Sequence, residues 1–436
     1  MLIEFRFKNF KSFQDDQVLS MVAGSDKSLP DNVITDKALG KRKLVRSAVL
    51  YGANASGKSN LVDALDFVQR FVKGSAERKQ GAEIPVHLFR LGKSDDESPA
   101  EFEISFIHQG VRYQYGFSVD RKRVHEEWLI AYPKGLPQKW FERSPSLDSL
   151  ESEWYFGPQL KGEKKRLVSV TRPDVLFLSV AATFDHKQLS EVYRWFSYYL
   201  RVIQYDPAFA LSFEQLTARG VAEDKDFKTL MQNLLQLADL GIADLSVEKT
   251  PLTEASLPFG VFSEKFRSSL LEWENFDVQI WHRARDRTGS GVSFSLEDES
   301  LGTRRLFAMG YPWLHTLGEG FTLVIDELDT SLHPVLVRNL VDSFHNLDLN
   351  SQNAQLVFNT HDTTLLDSSL FRRDQVWFVE KDNAGASHLY PLLEFSPRKN
   401  EALAKGYLQG RYGALPFIEG FAKGLLTGRD ASDGET

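Results

Sequence analysis

The sequence predicts an α/β protein built around a parallel sheet, and two patterns carry this prediction. Short apolar runs at residues 321–325 (FTLVI) and 355–359 (QLVFN) flank a helical pattern at residues 334–346, and such alternation is typical of βαβ units. Another apolar run, at residues 44–51 (LVRSAVLY), leads through a turn with two glycines into a helical pattern at residues 59–73. Apolar residues recur every three or four positions in that helix, so one of its faces is expected to be buried.

The first third of the chain adds an antiparallel component. Residues 2–7 (LIEFRF) alternate between apolar and polar side chains, as a half-buried strand does. Residues 101–107 and 111–119 show similar alternation on either side of a His-Gln-Gly turn, which is a hairpin signal. Trp128 and Leu129 are predicted to lie in a third strand of this β-rich lobe.

The middle of the chain is predicted to be a large insertion. Residues 133–166 are rich in Pro, Gly, Ser and mixed charge, which indicates exposed loops. Residues 186–240 follow a helical pattern, residues 276–296 return to strand-like alternation, and a last strand is expected at residues 375–379. The expected units are an N-terminal lobe (1–130), a loop-rich and helical lid insertion (131–295) and a C-terminal lobe (296–436).

Composition narrows the functional class. The chain has 436 residues, of which 42% are hydrophobic and 26% charged, as in a globular protein of two or three structural units. It has no apolar run of about eighteen residues and no signal-peptide pattern, so a cytoplasmic protein without a membrane partner is expected. The absence of cysteine excludes disulfides, cysteine zinc sites and a cysteine nucleophile. A formal net charge of −8 argues against binding nucleic acid through overall charge, although a local basic patch could still bind it.

A phosphate-binding loop is predicted at residues 52–59 (GANASGKS), which fit the pattern G-x-x-x-x-G-K-[ST] between an apolar strand and a helix. Gly52 and Gly57 allow the backbone to wrap a phosphate with its N–H groups, and the following helix directs its positive end toward that phosphate. Lys58 is expected to reach the β- and γ-phosphates of ATP, and Ser59 to supply an oxygen ligand to Mg²⁺. The sequence therefore predicts a site for ATP and Mg²⁺.

A second motif ends the apolar run at residues 321–325, which is followed by two acids. Asp326 is expected near the Mg²⁺ shell, directly or through water, and Glu327 is expected to polarise the water that attacks the γ-phosphate. Strand ends often carry acids, so this motif is informative only together with the phosphate loop. Most of the chain separates Lys58 from Asp326. A large insertion is therefore predicted between two halves of one ATP-binding core.

One histidine and one polar turn complete the set of candidates. His361 comes just after the apolar run at residues 355–359, so a parallel sheet would place it at the carboxyl edge, where ligands bind. Its imidazole can donate to the γ-phosphate or to the attacking water; the alternative is a surface histidine at a strand end. Residues 297–309 (EDESLGTRRLFAM) are typical of a helix start capped by Ser300.

These motifs, in this order, resemble those of ABC-type ATPases, and in particular the SMC/RecF-like branch. The opening strand followed by residues 9–13 (NFKSF) is similar to the start of that branch. Asn54 and Asn60 match the asparagines of its G-x-N-x-S-G-K-S-N loop, while Ala55 stands where a glycine is usual. The resemblance implies a P-loop NTPase with an ABC-type ATPase head, a β-rich N-terminal lobe and an inserted helical lid. It also implies that both asparagines belong to the nucleotide site.

Under this resemblance, residues 297–309 correspond to the signature motif L-S-G-G-Q. Ser300 and Gly302 match its serine and second glycine, with Leu301 and Thr303 in place of the first glycine and the glutamine. In this family the signature contacts ATP that is held by another copy of the chain. The resemblance therefore implies a homodimer, or a higher homo-oligomer, that closes on ATP.

The sequence departs from the family pattern at two points. His333 occupies the position of the D-loop aspartate, and no convincing Q-loop glutamine is identified. The chain also has no long heptad run, which excludes DNA tethering by coiled-coil arms.

The resemblance also bears on biological role. Several stretches, among them residues 406–417 (GYLQGRYGALPF), are similar to stand-alone ATPases encoded beside bacterial antiphage or abortive-infection effectors. This implies a switch that hydrolyses ATP and controls a separate effector, a nuclease or a toxin, in phage defence. Two alternatives stay open: a RecF-like repair ATPase that binds DNA directly, and a nearly inactive nucleotide-gated scaffold for a toxin.

Two further features bear on nucleic acids. Basic clusters at residues 78–79, 161–166 and 372–373 could touch nucleic acid, although charge runs are usually solvated faces. Glu380 is not followed by an Asp-x-Asp pattern, so a nuclease within this chain is not indicated.

Overall fold

The computed structural model describes residues 1–92, 98–146, 152–204, 207–238, 241–251, 274–283, 291–396 and 401–415. The strands, in chain order, are β1 (Leu2–Lys8), β2 (Gln17–Ser20), β3 (Val33–Ile34), β4 (Leu44–Val45), β5 (Ser47–Tyr51), β6 (Ala100–His108), β7 (Val111–Val119), β8 (Val124–Tyr132), β9 (Gln138–Pro145), β10 (Ser152–Phe156), β11 (Leu200–Ile203), β12 (Ile242–Pro251), β13 (Glu274–His282), β14 (Val292–Ser295), β15 (Thr322–Ile325), β16 (Gln355–Asn359), β17 (Val376–Lys381) and β18 (Ser387–Pro391). The helices are α1 (Lys58–Gly74), α2 (Lys164–Val170), α3 (Phe177–Thr183), α4 (Lys187–Arg194), α5 (Pro207–Glu223), α6 (Lys225–Ala238), α7 (Leu301–Glu319), α8 (Pro334–His345) and α9 (Leu403–Leu408).

A six-stranded sheet carries the predicted parallel core. Its order is β11-β15-β16-β5-β17-β18. The first five strands run parallel to their neighbours, and β18 alone is antiparallel. Strands β5, β15 and β16 are buried along their whole length, as expected for a parallel sheet covered on both faces. The predicted α/β fold is confirmed.

A second, seven-stranded antiparallel sheet has the order β10-β9-β8-β7-β6-β1-β2. Helix α1 packs against this sheet, where Phe67 lies 5.2 Å from Phe102 and Phe71 lies 5.6 Å from Phe117 between ring centroids. The apolar side chains that recur every three or four positions along α1, which were predicted to form its buried face, are also buried. Burying aromatic rings of this size contributes strongly to stability, so α1 is fixed between the two sheets by its apolar pattern.

The structure corrects the interpretation of residues 133–166. This stretch contains two strands, β9 and β10, and the expected boundary at residue 130 falls inside β8. Trp140 and Phe141 of β9 are buried, whereas the flanking residues are polar and partly exposed. Because the apolar runs of this stretch, at residues 140–141 and 154–156, are so short, the surrounding Pro, Gly and charged residues hid the strand signal.

A second correction concerns residues 186–240, which were predicted to be helical throughout. Helix α4 continues into a π-helical turn (Trp195–Tyr199), and the chain then forms β11, the edge strand of the six-stranded sheet. Leu200 and Val202 are buried where β11 pairs with β15. This short strand directly continues a helical pattern, and Arg201 interrupts its apolar residues. The strand was therefore not recognised in the sequence.

Residues of the predicted lid form α5, α6 and the three-stranded sheet β12-β13-β14, and both helices pack against α7. Pro312 lies inside α7 and has no N–H to donate to the carbonyl of Ala308. The hydroxyl of Thr217 from α5 donates to that carbonyl at 3.4 Å and accepts from the N–H of Tyr311 at 3.0 Å. The interruption of α7 is therefore compensated by its neighbour. Among the described helices, none has the length and apolar character needed to cross a membrane.

Candidate active site

The candidate site lies at the carboxyl edge of the parallel strands. The phosphate loop follows β5, Asp326 and Glu327 follow β15, and Thr360 and His361 follow β16. Since β15, β16 and β5 are adjacent and parallel, these three strand ends meet at one edge. The structure thus brings together the motifs that the sequence separates most widely.

The two glycines of the phosphate loop are required by close packing. A β-carbon at Gly52 would lie 2.3 Å from the carbonyl oxygen of Val379. At Gly57, where φ is +118°, it would lie 2.5 Å from the hydroxyl of Ser387. Ala55 has a positive φ of 62°, a conformation that favours glycine. The local backbone therefore has the conformation expected of the usual glycine, although an alanine occupies the position.

Lys58 interacts with the loop that it belongs to. Its ammonium donates to the carbonyl oxygens of Gly52 at 2.8 Å and Ala53 at 3.0 Å, and the residue is buried. Burial lowers the pKa of Lys58 to about 8, against the opposing effect of nearby acids that include Asp326 and Glu327. Burial opposes the charged form, whereas a bound phosphate would favour it.

This lowered pKa predicts a pH dependence of nucleotide binding. Above pH 8 an increasing fraction of Lys58 is neutral, and ATP binding must then be accompanied by uptake of a proton. We expect the affinity for Mg²⁺-ATP to be steady below this pH and to fall by up to about tenfold for each pH unit above it. Equilibrium titration with a fluorescent ATP analogue measures this. The weaker affinity of Lys58→Met should show no such fall; a wild-type affinity that stays constant to about pH 9.5 would contradict the assignment.

Ser59, Asp326 and Asn359 form a connected set beside Lys58. The Ser59 hydroxyl forms a hydrogen bond with the Asp326 carboxylate, and the Asn359 side-chain amide donates to the same carboxylate. Burial raises the pKa of Asp326, and these hydrogen bonds oppose that shift. A hydroxyl and a carboxylate are oxygen donors of the kind that Mg²⁺ prefers. The two residues predicted as metal ligands therefore lie together and fit that ion.

Glu327 has an unusual backbone conformation, with φ at +51°. Its N–H donates to the side-chain oxygen of Asn359 at 2.5 Å, and its carbonyl oxygen accepts from Arg305 at 2.6 Å. Its carboxylate accepts from the hydroxyl of Thr330 at 3.1 Å. Non-glycine residues at positive φ persist where the surroundings hold them. These contacts hold Glu327 at the strand end.

Asn359 is a positioning residue that the sequence interpretation missed. A polar side chain at the end of an otherwise apolar strand was the available signal. The Asn359 amide donates to the carboxylate of Asp326 and accepts from the backbone N–H of Glu327. Asn359→Ala should therefore lower the rate constant for ATP hydrolysis by about 10- to 100-fold and change the affinity for ATP much less. Steady-state kinetics together with nucleotide titration separate the two effects. Equal losses in affinity and rate would instead indicate a general disturbance of the loop.

His361 lies at the same edge, next to Asp329. Its backbone N–H donates to the Asp329 carboxylate at 3.2 Å, and its side chain is exposed. Partial burial and the neighbouring Lys58 lower the pKa of His361, and the nearby acids oppose this. A lowered pKa favours the neutral imidazole at physiological pH.

A glutamine that the sequence interpretation could not identify lies beside these groups. Gln204 directly follows β11, and the N–H of Asp326 donates to the preceding carbonyl, that of Ile203, at 2.9 Å. The Gln204 amide donates to Asp63 of α1 at 2.6 Å, and Lys11 forms an ion pair with the same carboxylate. Gln204 is therefore a candidate for the Q-loop position. It was missed because β11 was read as helix.

Asn60 and Asn54 have different surroundings. The Asn60 amide donates to the hydroxyl of Ser12 at 2.7 Å, which links α1 to the turn after β1. Ser387 also donates to Ser12, at 2.8 Å. Asn54 is exposed on the phosphate loop. Asn60 thus supports the phosphate loop through its contact with Ser12, whereas Asn54 is accessible from solvent.

The turn before α7 is a capped helix start, as its local sequence predicts. The Ser300 hydroxyl accepts from the N–H of Thr303 at 3.1 Å and contacts its hydroxyl at 2.9 Å. Ser300 is exposed. A β-carbon at Gly302 would lie 2.8 Å from the carbonyl oxygen of Ser331, so the start of α7 packs closely on the turn that follows the two acids.

His333, which stands at the D-loop aspartate position, caps α8. Its Nδ1 accepts from the N–H of Val335 at 3.3 Å. This is the interaction that an aspartate side chain commonly makes at a helix N-terminus. Although a histidine stands in place of the aspartate of the family pattern, its side chain still caps the N-terminus of α8.

One of the three basic clusters is occupied by ion pairs. Arg372 is buried and pairs with Asp374 at 2.6 Å, and Arg373 pairs with Asp26 at 2.9 Å. These arginines tie the segment before β17 to the N-terminal region. This removes part of the support for direct nucleic-acid binding.

Comparison with known families shows which family the chain belongs to. Residues 47–367 match the family model described as "AAA domain, putative AbiEii toxin, Type IV TA system". The chain belongs to this family. The match spans the phosphate loop, the lid and the acids after β15, so the expected P-loop ATPase fold and the resemblance to abortive-infection ATPases are confirmed. A search of the curated proteins found no match.

Several solved structures are similar over most of the chain but at low TM-scores. An SMC head bound to the C-winged helix domain of ScpA has 13% identity, covers 89% of this chain and 97% of its own, and gives a TM-score of 0.41. The SMC head domain from Thermotoga maritima has 13% identity, with 89% and 98% covered and a TM-score of 0.41. A RecF-ATP structure has 15% identity, with 89% and 97% covered and a TM-score of 0.34.

Proposed function

We propose that this protein is a Mg²⁺-dependent ATPase that dimerises on ATP and thereby controls a separate effector, a nuclease or toxin of a bacterial phage-defence system. The observation that carries the proposal is the meeting of three motifs at one sheet edge. Lys58 lies near Asp326 and Glu327, and Ser59 is hydrogen-bonded to Asp326. Residues of these types, so grouped, can hold a nucleotide triphosphate and its metal.

Binding begins with an exchange of partners at Lys58. The ammonium that contacts the carbonyls of Gly52 and Ala53 would turn to the β- and γ-phosphates. The loop N–H groups and the start of α1 supply further donors. Ser59 and Asp326 would hold Mg²⁺, which neutralises charge on the phosphates when bound.

Hydrolysis then needs an oriented water. Glu327 is the proposed general base, held by Asn359 and Thr330 at the strand end. The exposed, neutral His361 would donate to the γ-phosphate or to the attacking water. Gln204, beside Asp326 at the end of β11, would contribute to the same shell.

The second copy of the chain supplies the remaining contacts. Ser300 is exposed at the N-terminus of the 19-residue helix α7, where a hydroxyl and free N–H groups suit a phosphate. Together with Gly302 it would contact ATP bound to Lys58 of the other copy. Hydrolysis would then remove the γ-phosphate and allow the two copies to separate.

A role in a toxin–antitoxin system is supported by the family description, which names a putative toxin of a type IV system. The alternatives predict different behaviour. A nearly inactive scaffold would turn over ATP hardly at all, whereas a repair ATPase would bind DNA without a partner and lose it steeply with salt.

The concentration dependence of hydrolysis tests the proposed function. If each site needs two chains, the rate per chain must rise with protein concentration and then level off as dimers form. ATP should shift the mass measured by light scattering toward the dimer, and ADP should not. A rate per chain that is independent of concentration, in a protein that remains monomeric with ATP, would contradict the proposal.

A further inference from the structure

A pocket of about 510 Å³ lies between the phosphate loop and the C-terminal segment. One wall is the loop itself, from Gly52 to Ser56, with His361 next to it. The opposite wall is formed by the C-terminal segment, residues 403–415, through four side chains: Tyr407, Leu408, Ala414 and Leu415. Part of the GYLQGRYGALPF stretch therefore borders the candidate ATP site.

The C-terminal segment is held firmly in this position. Tyr407 stacks on Phe378 of β17 at 5.4 Å between centroids and lies 5.7 Å from Tyr51 of β5. Its hydroxyl donates to the carbonyl of Ala414 at 3.1 Å. The backbone at Gly413 adopts a φ of +67°, and a β-carbon there would lie 2.7 Å from the Glu380 carboxylate. The segment is therefore built against the strands that lead into the site.

One apolar side chain of this segment faces away from the core. Leu408 is 60% exposed at the end of α9, although Tyr407 beside it is buried. Lys381, which also lines the pocket, is exposed. The pocket thus offers a solvent-accessible leucine and a cation next to the phosphate loop.

The surface around Ser300 has matching properties. Leu301 is 69% exposed and Val335 is 60% exposed. Leu301 adjoins Gly302, where a β-carbon would lie 2.8 Å from the carbonyl oxygen of Ser331 in the turn that precedes Val335 and α8. We call this the signature surface: Ser300, Leu301 and Val335, together with the exposed acids Glu297 and Asp298.

We propose that the pocket beside the phosphate loop receives the signature surface of a second copy, so that the C-terminal segment forms part of the ATP-dependent dimer contact. This inference rests on the proposed function. In a two-fold dimer that brings Ser300 of one copy to the ATP of the other, the residues flanking Ser300 must face the residues flanking the phosphate loop. Apolar Leu301 and Val335 then meet Leu408, and the acids before Ser300 meet Lys381. The apolar character is complementary, and Lys381, beside Glu380 in the lining of the pocket, is the cation available to those acids.

The occupant is a second copy because both halves of the contact are present on each chain. An isologous dimer buries each half twice, once in each direction. The exposed leucines and valine would thereby be buried, at the place where ATP is expected to bring two chains together. The contact would make the C-terminal segment a determinant of dimer affinity, although it contains none of the ATPase motifs.

Cysteine cross-linking tests this contact, since the natural chain has no cysteine. Single variants Leu301→Cys and Leu408→Cys are prepared in a Glu327→Gln background, mixed, and treated with a short bismaleimide with Mg²⁺-ATP or Mg²⁺-ADP. We expect a covalent dimer in the mixture with ATP and much less with ADP. Leu347→Cys is the matched control, because this leucine is 49% exposed but lies between α8 and the start of β16, at the opposite edge of the sheet. Mixed with Leu408→Cys, it should give no dimer.

A second variant measures the energetic contribution. Leu408→Glu replaces an exposed apolar side chain with a charged one and should weaken the ATP-dependent dimer about tenfold or more by light scattering, with ATP binding to the monomer unchanged. If Glu327→Gln dimerises on ATP, but Leu408→Glu has no effect and the cross-link does not form, the pocket contact is wrong and the proposed function stands. If Glu327→Gln does not dimerise on ATP, both are overturned.

Discussion

Glu327→Gln is expected to lower the rate of ATP hydrolysis by about 10²- to 10⁴-fold, because a glutamine cannot accept the proton of the attacking water. Its shape preserves the hydrogen bond from Thr330 and leaves the backbone contacts of Glu327 intact. ATP binding should therefore remain close to that of the natural protein. If hydrolysis separates the two copies, as proposed, the ATP-bound dimer should persist much longer.

Phosphate release and light scattering after addition of Mg²⁺-ATP measure both effects. Glu319→Gln is the matched control: it makes the same chemical change at an exposed position at the far end of α7 and should behave as the natural protein. Unchanged phosphate release in Glu327→Gln would exclude Glu327 as the general base.

Ser300→Arg is expected to abolish hydrolysis while leaving ATP binding to the monomer nearly unchanged. Ser300 is exposed and its hydroxyl contacts Thr303 within its own helix, so a larger side chain can be accommodated in the isolated chain. In the dimer it would occupy the space of the γ-phosphate contact and prevent closure. We expect a loss of about 10²-fold or more in hydrolysis, comparable to the loss of a donor to a developing charge.

The control for this variant is Ser351→Arg, which introduces the same side chain at an exposed serine just before β16, at the opposite edge of the sheet. Loss of the N-terminal cap of α7 costs about 1 kcal/mol, so a thermal melt distinguishes a stability defect from a defect in dimer closure. Normal hydrolysis by Ser300→Arg would show that the turn is only a helix start.

The sequence predicted the parts of the site that follow uninterrupted apolar runs or begin a regular amphipathic helix. Lys58, Ser59, Asp326 and His361 each come directly after a buried apolar strand or at the start of an amphipathic helix. Parallel strands carry their functional residues at one edge. Their convergence could therefore be anticipated without any contact being known.

The residues that were missed depend on tertiary contacts. Gln204 follows a strand of only four residues whose pairing with β15 decides its conformation. Asn359 is a single polar residue at the end of an apolar strand, and its role appears only when its amide reaches both acids. The sequence interpretation missed strands β9 and β10 because a strand of an antiparallel sheet that has one face toward water needs few apolar residues.

The same reasoning explains why the C-terminal segment had no assigned role. Its aromatic residues form a motif whose meaning depends on what they pack against. In the structure they pack on β5 and β17, the two strands that border the phosphate loop. The position of the segment beside the candidate site, rather than its composition, makes it informative.

The central claim is that each ATP site is built from two chains, and a complementation experiment tests it most directly. Lys58→Ala removes nucleotide binding from one chain, and Ser300→Arg removes the contact supplied to the other; each variant alone should be inactive. A heterodimer of the two contains one site with both defects and one intact site, made of Lys58 from the second variant and Ser300 from the first. We predict that an equimolar mixture recovers hydrolysis to at most about half of the natural rate, because only mixed dimers can close on ATP and each has one working site of two. A mixture no more active than its separate components would contradict a site shared between chains.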